Sequence, residues 1–522
     1  MTRAPTSSDE AARSSYPRYV LGVLVAVYVL NFLDRQIVTI LADEIKADLG
    51  LSDAEIGFLY GTAFAVFYAL FGIPLGRLAD VWNRRTLIAL GLSVWSLMTA
   101  VSGLARSFPQ LAAARVGVGV GEASASPAAY SMLSDYFPAA RRATVLAIYS
   151  SGIYIGAGLS LMIGGQVVER WNDAFATGGA PFGLKGWQVA YFVVGLPGLL
   201  LAAWVRTLRE PVRGQMDGLL TPPEPHPFRE FFRELRAVLP PFTLLHLHLL
   251  GGGPALLLRN LAAALAVAVV AAGLVHATGN LWQWLALGVG VYSTVSWMQA
   301  LRLRDPPTAR LVLGSRALVY GCLGFSFLAF TGYGLGAWTP PFFLRFHDAE
   351  VGTMGFVLGG TAAAAGWLGV TLGGIAADRL RVGRPTGRLL VAYATALAPV
   401  PLLVWMLTTT NTTLAYVLNF PVTLLGSMWI GVGASTIQDL VLPRMRATAS
   451  AFYLLVITFI GLALGPYLVG QLSDTLGSLR AGMLWAVGAN GVAVMLLLLA
   501  ARHVERDESS RLERAREAGE PV

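Results

Sequence analysis

An all-α polytopic membrane protein is the fold class this chain predicts, and three observations predict it. Hydrophobic residues fill 55% of 522 positions and charged residues only 13%, against about 25% charged in a soluble domain. Apolar runs of roughly twenty or more residues, enough to cross a hydrocarbon core as helix, recur from residue 19 to residue 502. The arginines gather in the short stretches between those runs. The net charge of +8 is therefore a property of loops facing a membrane and does not point to nucleic acid.

The runs lie near 19–41, 55–79, 86–105, 108–135, 142–168 and 187–206, then 254–276 and 281–301, then 312–344, 350–377, 387–409, 412–440, 447–472 and 481–502. They predict about fourteen transmembrane helices: two sets of six, with an extra pair between them. The chain then divides into a tail (1–18), a first six-helix bundle (19–210), a central linker with the extra pair (211–311), a second bundle (312–502) and a second tail (503–522). Within the linker, His226–Leu239 interleaves Phe228, Phe231, Phe232 and Leu235 with Arg229, Arg233 and Arg236. That pattern predicts an amphipathic helix on the membrane surface.

Basic residues orient the chain. Alternate loops hold most of the arginines, including Arg77, Arg84, Arg85, Arg141, Arg142, Arg206, Arg209, Arg213, Arg388, Arg444 and Arg446, whereas the opposite loops hold only Lys46, Arg106, Arg170, Lys185, Arg345 and Arg480. Both termini are expected in the cytoplasm. The near absence of lysine suggests a GC-rich bacterial genome, hence an inner-membrane protein. The first apolar run is too long for a signal peptide. Cys322 is the single cysteine, so no intrachain disulfide forms. His246 and His248 have no carboxylate or thiol nearby in sequence and are read as interfacial. No metal or other cofactor is expected.

The first run is broken at its centre by Asn31-Phe32-Leu33-Asp34-Arg35-Gln36. A charge at the middle of a membrane helix costs about 2.5–3.5 kcal/mol on insertion scales, so such charges face a protein interior and need partners. The fourth run supplies them as Arg115 and Glu122. Seven residues apart, they share a helix face about 10 Å apart along its axis. These four are the full set of midplane charges, and all lie in the first half. A structural ion pair is the bland reading of them; a coupling or substrate site is the sharper one.

An internal repeat is visible. Arg142-Ala143-Thr144 and Arg446-Ala447-Thr448 stand 304 residues apart, and the runs they open close on Gly165-Gln166 and Gly470-Gln471. Gly76-Arg77-Leu78-Ala79-Asp80 is echoed by Gly374-Ile375-Ala376-Ala377-Asp378. Parallel halves with a site at their interface are the plan of major facilitator transporters.

The loop from Gly76 to Arg85 (GRLADVWNRR) resembles the signature of that superfamily between its second and third helices. With NFLDRQI in the first span and ARVGVGVGEASASPAAYSMLSDYF in the fourth, the chain resembles the spinster branch. The likeness is strong over 19–210 and diffuse over 312–502, and the helix pair at 254–301 departs from the usual twelve-helix plan. The resemblance implies proton-linked transport of amphiphiles such as lysophospholipids or sphingosine phosphate. Asp34 and Glu122 would then exchange protons, with Arg35 and Arg115 as their partners or as substrate anchors. It also implies a conformational latch in which Asp80 faces the start of the eleventh helix. Arg84, Arg85, Asp378, Arg142 and Arg446 belong to the same set of signature positions. The fifth span lacks the Gly-Pro mark of many antiporters.

The second half is expected to supply an apolar cavity wall, with Tyr333, Trp338, Trp367 and Trp429 as substrate contacts. An anionic head group is expected on Arg115, which as a guanidinium grips phosphate or carboxylate in two-pronged fashion. A small organic anion such as a sugar acid is the competing substrate. A membrane enzyme is the weakest reading, since the spans hold no nucleophile triad or metal cluster. The expected partners are the substrate, protons and the lipid bilayer, and the chain is expected to act as a monomer.

Overall fold

The computed structural model describes residues 15–216, 225–382 and 384–520, and all the predicted spans are helical in it. Among the described residues, twelve helices are long and apolar enough to cross a membrane. They include α1 (Tyr16–Leu49), α2 (Asp53–Val81) and α3 (Arg84–Ser102). The predicted fourth span is two helices, α4 (Phe108–Glu122) and α5 (Ala125–Tyr136). The break has a local cause: Pro127 has no N–H to offer the carbonyl of Ala123, so the helix ladder is interrupted there. Then come α6 (Thr144–Ala174) and α7 (Gly186–Arg206), which complete the first bundle.

The linker folds as α8 (Pro227–Val238) and α9 (Phe242–Leu249), followed by the extra pair α10 (Pro254–Thr278) and α11 (Leu281–Arg304) and a short α12 (Pro306–Gly314). The length and composition that qualify twelve helices leave out α11, so the count of fourteen resolves into twelve such helices, one broken span and α11. The second bundle contains α13 (Arg316–His347), α14 (Val351–Arg381), α15 (Gly387–Thr408), α16 (Thr412–Asp439), α17 (Pro443–Leu476) and α18 (Leu479–Ser509). A last helix, α19 (Arg511–Glu517), follows. Most of the first tail (1–14) lies outside the described residues.

The bundles meet along two seams. On one, α6 lies against α14, and glycines bring the backbones together. A Cβ added at Gly158 would stand 2.5 Å from the Gly359 carbonyl oxygen, and one at Gly359 would stand 2.4 Å from that of Gly158. Only glycine allows this approach. On the other seam, α2 lies against α17, and both helices are irregular there. The α2 helix breaks at Gly61, and α17 runs as π-helix over Ile457–Leu464. Pro466 contributes to the second irregularity, because it cannot donate to the Leu462 carbonyl.

Ion pairs close the bundles together at one end, where Asp53 begins α2. Arg345 of α13 donates to Asp43 of α1 and to Asp53, with Nη1 2.7 Å from Asp53 Oδ2. Lys46 lies 2.6 Å from Asp53, and Ser473 of α17 donates to it at 2.6 Å. The neighbouring Asp474 accepts the backbone N–H groups of Asp53 and Ala54 at 3.0 and 2.8 Å. A carboxylate thus sits on the positive N-terminus of a helix from the opposite bundle. Among the described residues, the hydrogen bonds that join the two bundles directly lie between this end and the Gly61 break.

Candidate functional site

The four midplane charges come together in the interior of the first bundle. Arg35 donates to Oε2 of Glu122 through Nη2 at 2.7 Å and Nε at 3.2 Å. Its guanidinium lies among three rings, with Cζ 4.4 Å from the Phe64 centroid, 4.6 Å from Phe32 and 5.0 Å from Tyr68. Charge-assisted hydrogen bonding and cation–π attraction therefore hold one side chain from two sides. Sequence reading left Arg35 without a fixed partner; the structure gives it Glu122.

Arg115 is fully buried and donates to three backbone carbonyls: Asp34 at 3.2 Å, Arg35 at 3.3 Å and Leu59 at 3.3 Å. Leu59 lies two residues before the Gly61 break in α2. Ser160 of α6 donates to the Leu33 carbonyl at 2.8 Å, so three successive carbonyls of α1 take side-chain donors. Arg115 in this geometry braces the middle of α1. Asp34 stands apart from both arginine side chains: its two carboxylate oxygens are buried and accept no hydrogen bond among the described residues. The Trp95 indole stands near it without reaching hydrogen-bonding geometry. Oε1 of Glu122 is likewise unpartnered. A buried carboxylate left this way is costly as an anion.

The second bundle reaches the cluster through Tyr333 of α13, half-buried and within electrostatic reach of Arg35. Trp429 of α16 is buried and stacks on Phe325, which in turn meets Tyr453 edge to face. Trp338 is buried at the closed end, where its indole donates to the Pro466 carbonyl at 2.8 Å and Arg345 lies over its ring. Trp367 is 51% exposed, on a strip of α14 with Phe356, Gly360, Ala364, Thr371 and Ile375 that points away from both bundles. A cluster of phenols that the sequence reading did not single out surrounds the charges. Tyr28 stacks on Tyr149 at 4.3 Å, and Tyr130 meets Tyr149 at 5.4 Å. The hydroxyls of Tyr149, Tyr154 and Tyr453 are buried without a partner.

At the opposite, arginine-rich end, Arg84 is fully buried. It pairs with Asp135 of α5, with Glu210 at 2.7 Å, with the Ser131 hydroxyl at 2.9 Å and with the Pro211 carbonyl at 2.9 Å. Arg85 donates its backbone N–H to Glu210 and its guanidinium to the Leu208 carbonyl. Arg142 donates to the carbonyls of Ser134 and Phe137, at the C-terminus of α5 where a cation is favoured. Asp80 is exposed among Arg77, Arg84 and Arg213. Asp378 is exposed too and pairs with Arg388 at 3.3 Å. Arg446 is exposed in the first turn of the helix it opens. The structure thus gathers Arg84 and Arg85 on Glu210, but holds Asp378 and Arg446 apart from them. Asp135 and Glu210 were missed, because a carboxylate beside a span end reads as an ordinary loop charge.

Two bundles in parallel, a charge cluster buried in the first and an ion-paired end are the features of a membrane solute carrier. Residues 24–258 match the profile of the Major Facilitator Superfamily. A protein described as an MFS-type efflux pump in Mycolicibacterium smegmatis is 28% identical over 96% of this chain and 93% of its own length. Human protein spinster homolog 1 is 28% identical over 88% of this chain and 73% of its own. A solved bacterial homolog of the human lysosomal transporter spinster, inward-facing and unoccupied, superposes with a TM-score of 0.70 at 25% identity, covering 94% of this chain and 98% of the other. The first half of the chain thus matches the major facilitator superfamily, and nearly its whole length resembles spinster-type proteins; it is a multi-pass membrane transporter rather than an enzyme.

Proposed function

We propose that the protein is a proton-coupled secondary transporter of an amphiphilic anion of the lysophospholipid or sphingoid-phosphate kind. The observation that carries this reading is the buried Arg35–Glu122 pair beside the unpartnered carboxylate of Asp34. With both acids ionised, the four charges sum to zero. An anionic head group drawn to Arg35 would leave that dry site net negative unless a carboxylate took a proton. Anion binding and protonation therefore favour each other. Glu122 accepts the proton as Arg35 turns to the head group, and Asp34 is the second acid of the site. Arg115, with each of its three nitrogens bonded to a backbone carbonyl, keeps α1 in shape while Arg35 exchanges partners. The tail lies along Tyr333 and Trp429; Trp338 acts through the closed end, and Trp367 meets lipid.

In this reading the Asp53 end is periplasmic, the arginine-rich end and both termini are cytoplasmic, and the chain works as a monomer in a bacterial inner membrane. The Arg84 cluster, with Arg85, Arg142 and their exposed neighbours Asp80, Asp378 and Arg446, sets the cytoplasmic latch. A second reading, a small hydroxylated anion such as a sugar acid, draws on the unpartnered hydroxyls of Tyr149, Tyr154 and Tyr453. A homologous series of single-chain anionic amphiphiles, offered to the protein in proteoliposomes, separates the two. Each buried methylene contributes about 0.8 kcal/mol, so affinity rises with chain length for an amphiphile carrier. A flat series with a dependence on hydroxyl position selects the sugar acid.

A further inference from the structure

The extra helix pair is not a passenger on either bundle. Along most of its length α10 packs only on α11; its one buried residue is Asn260, bonded to Ser296 and Gln299 of α11 and accepting from Tyr292. The α11 helix, by contrast, carries a buried face of Gln283, Trp284, Leu287, Gly290, Ser293, Ser296 and Trp297. That face lies over the α2/α17 seam. A Cβ placed on Gly290 would stand 2.9 Å from the Phe459 ring of α17 and 3.2 Å from Val66 of α2. One turn of one helix thus touches both bundles at once.

A polar chain fastens it there. The Thr62 hydroxyl of α2 is 2.7 Å from the Gln283 side-chain amide and 2.8 Å from the Ala463 carbonyl of α17. A hydroxyl has one proton to donate. If the Gln283 amide turns its NH2 toward Thr62, the hydroxyl accepts from Gln283 and donates to Ala463, and the otherwise orphaned Gln283 nitrogen is satisfied. Linker, first bundle and second bundle then share one continuous hydrogen-bonded chain. It sits beside the Gly61 break and inside the π-helical turn, the two places where these helices are irregular. At the hairpin turn, Asn280 donates to Tyr467 at 3.0 Å and to Gln471, and the Trp284 and Tyr467 rings meet edge to face.

We propose that α11 is a strap across the α2/α17 seam, sealing that side of the transporter and restraining the opening of the Asp53 end. Opening that end separates Asp53 from Ser473 and Asp474, so α2 must part from α17 along the length the strap covers.

Distances between spin labels at the Asp53 end test this without any substrate. Arg106 and Thr410 are exposed in loops at that end, one in each bundle, and the native Cys322 is buried away from label. The full-length Gln283→Leu/Asn280→Ala variant removes the hydrogen bonds that fasten α11 to Thr62, Tyr467 and Gln471. It is expected to raise the long-distance, open population about three- to tenfold. A second variant, Gly290→Cys/Val66→Cys, is expected to lose transport when oxidised and to recover it on reduction, because α11 is then held covalently on α2 and can part only from α17. An unchanged distance distribution in a folded loosening variant overturns the strap, as does full transport by the oxidised pair. The distance readout needs no carried ion or solute, so failure there is separate from failure of the proposed coupling.

Discussion

The two bundles carry the same arginine–aspartate pair at the arginine-rich end. Arg84 reaches Asp135 and Arg388 reaches Asp439, each pair spanning 51 residues, and the two copies stand 304 residues apart. At mid-membrane the bundles differ. The position 304 residues after Arg115 is Asn419, and that after Glu122 is Gly426. Duplication therefore kept the charges that fix helix ends and did not keep those in the middle of the membrane. Charges at helix ends serve the same packing need in both copies. Charges at the midplane cost so much that only a site with a use for them keeps them, and one such site is enough for a cavity shared by two bundles.

The shared pairs can be broken separately, and the expected sizes differ. The Arg84 side chain has no exposure and its removal strands Asp135 and Glu210. Breaking a buried pair from one side costs about 3–5 kcal/mol, so Arg84→Ala should give a large drop in the thermal unfolding midpoint and little folded protein. Arg388 is 16% exposed and its partners Asp439 and Asp378 more so, at 31% and 76%. Arg388→Ala should cost about 1 kcal/mol or less. Equal losses in detergent melting curves would mean that the two copies carry equal load.

The midplane difference sharpens with Arg35→Lys. Lysine keeps the charge but cannot place two donors on Glu122 or lie flat among Phe32, Phe64 and Tyr68. Transport is expected to fall by about one to two orders of magnitude with folding intact, as a loss of about 1.4–2.8 kcal/mol implies. Asn419→Arg, which puts a charge in the second bundle at the position matching Arg115, is not expected to compensate.

The smallest expected effect lies where Arg444 joins Asp305 of the linker to Glu520 at the C-terminal end of the described chain. Burial raises the Asp305 carboxyl, but Arg444 and Thr308 outweigh it and hold it down at about 2. A depressed carboxyl stabilises above its unfolded value near 3.9, and that contribution fades as pH falls toward 2. Arg444→Gln should leave transport unchanged and make the C-terminal helix more open to protease at neutral pH. Wild type should show the same opening only below about pH 4.

Much of this was legible in the sequence for a physical reason. Long apolar runs and basic loops report the solvent directly, so the helices, their order and the extra pair could be placed. The cost of a midplane charge made Asp34, Arg35, Arg115 and Glu122 stand out without any structure. Their pairing was not legible, because helix spacing shows which residues share a face and not which neighbour that face meets. Arg115 looked like an anion anchor; its three carbonyl partners depend on the α2 break, which a lone Gly61 does not announce. The Pro127 break split a span that hydropathy alone would leave whole. The hydrogen bonds that fasten the α11 end of the pair to the two bundles fall between segments more than 170 residues apart in the chain, where local patterns carry no information.

The central claim is that proton coupling resides in the first bundle's carboxylates. It is tested most directly by comparing pH-gradient-driven accumulation with substrate counterflow for Glu122→Gln in proteoliposomes, with Asp34→Asn alongside. The neutral amide mimics the protonated acid and keeps the shape of the site. The account predicts that gradient-driven accumulation falls to background while counterflow continues. Accumulation that persists at the wild-type level in both variants would contradict it.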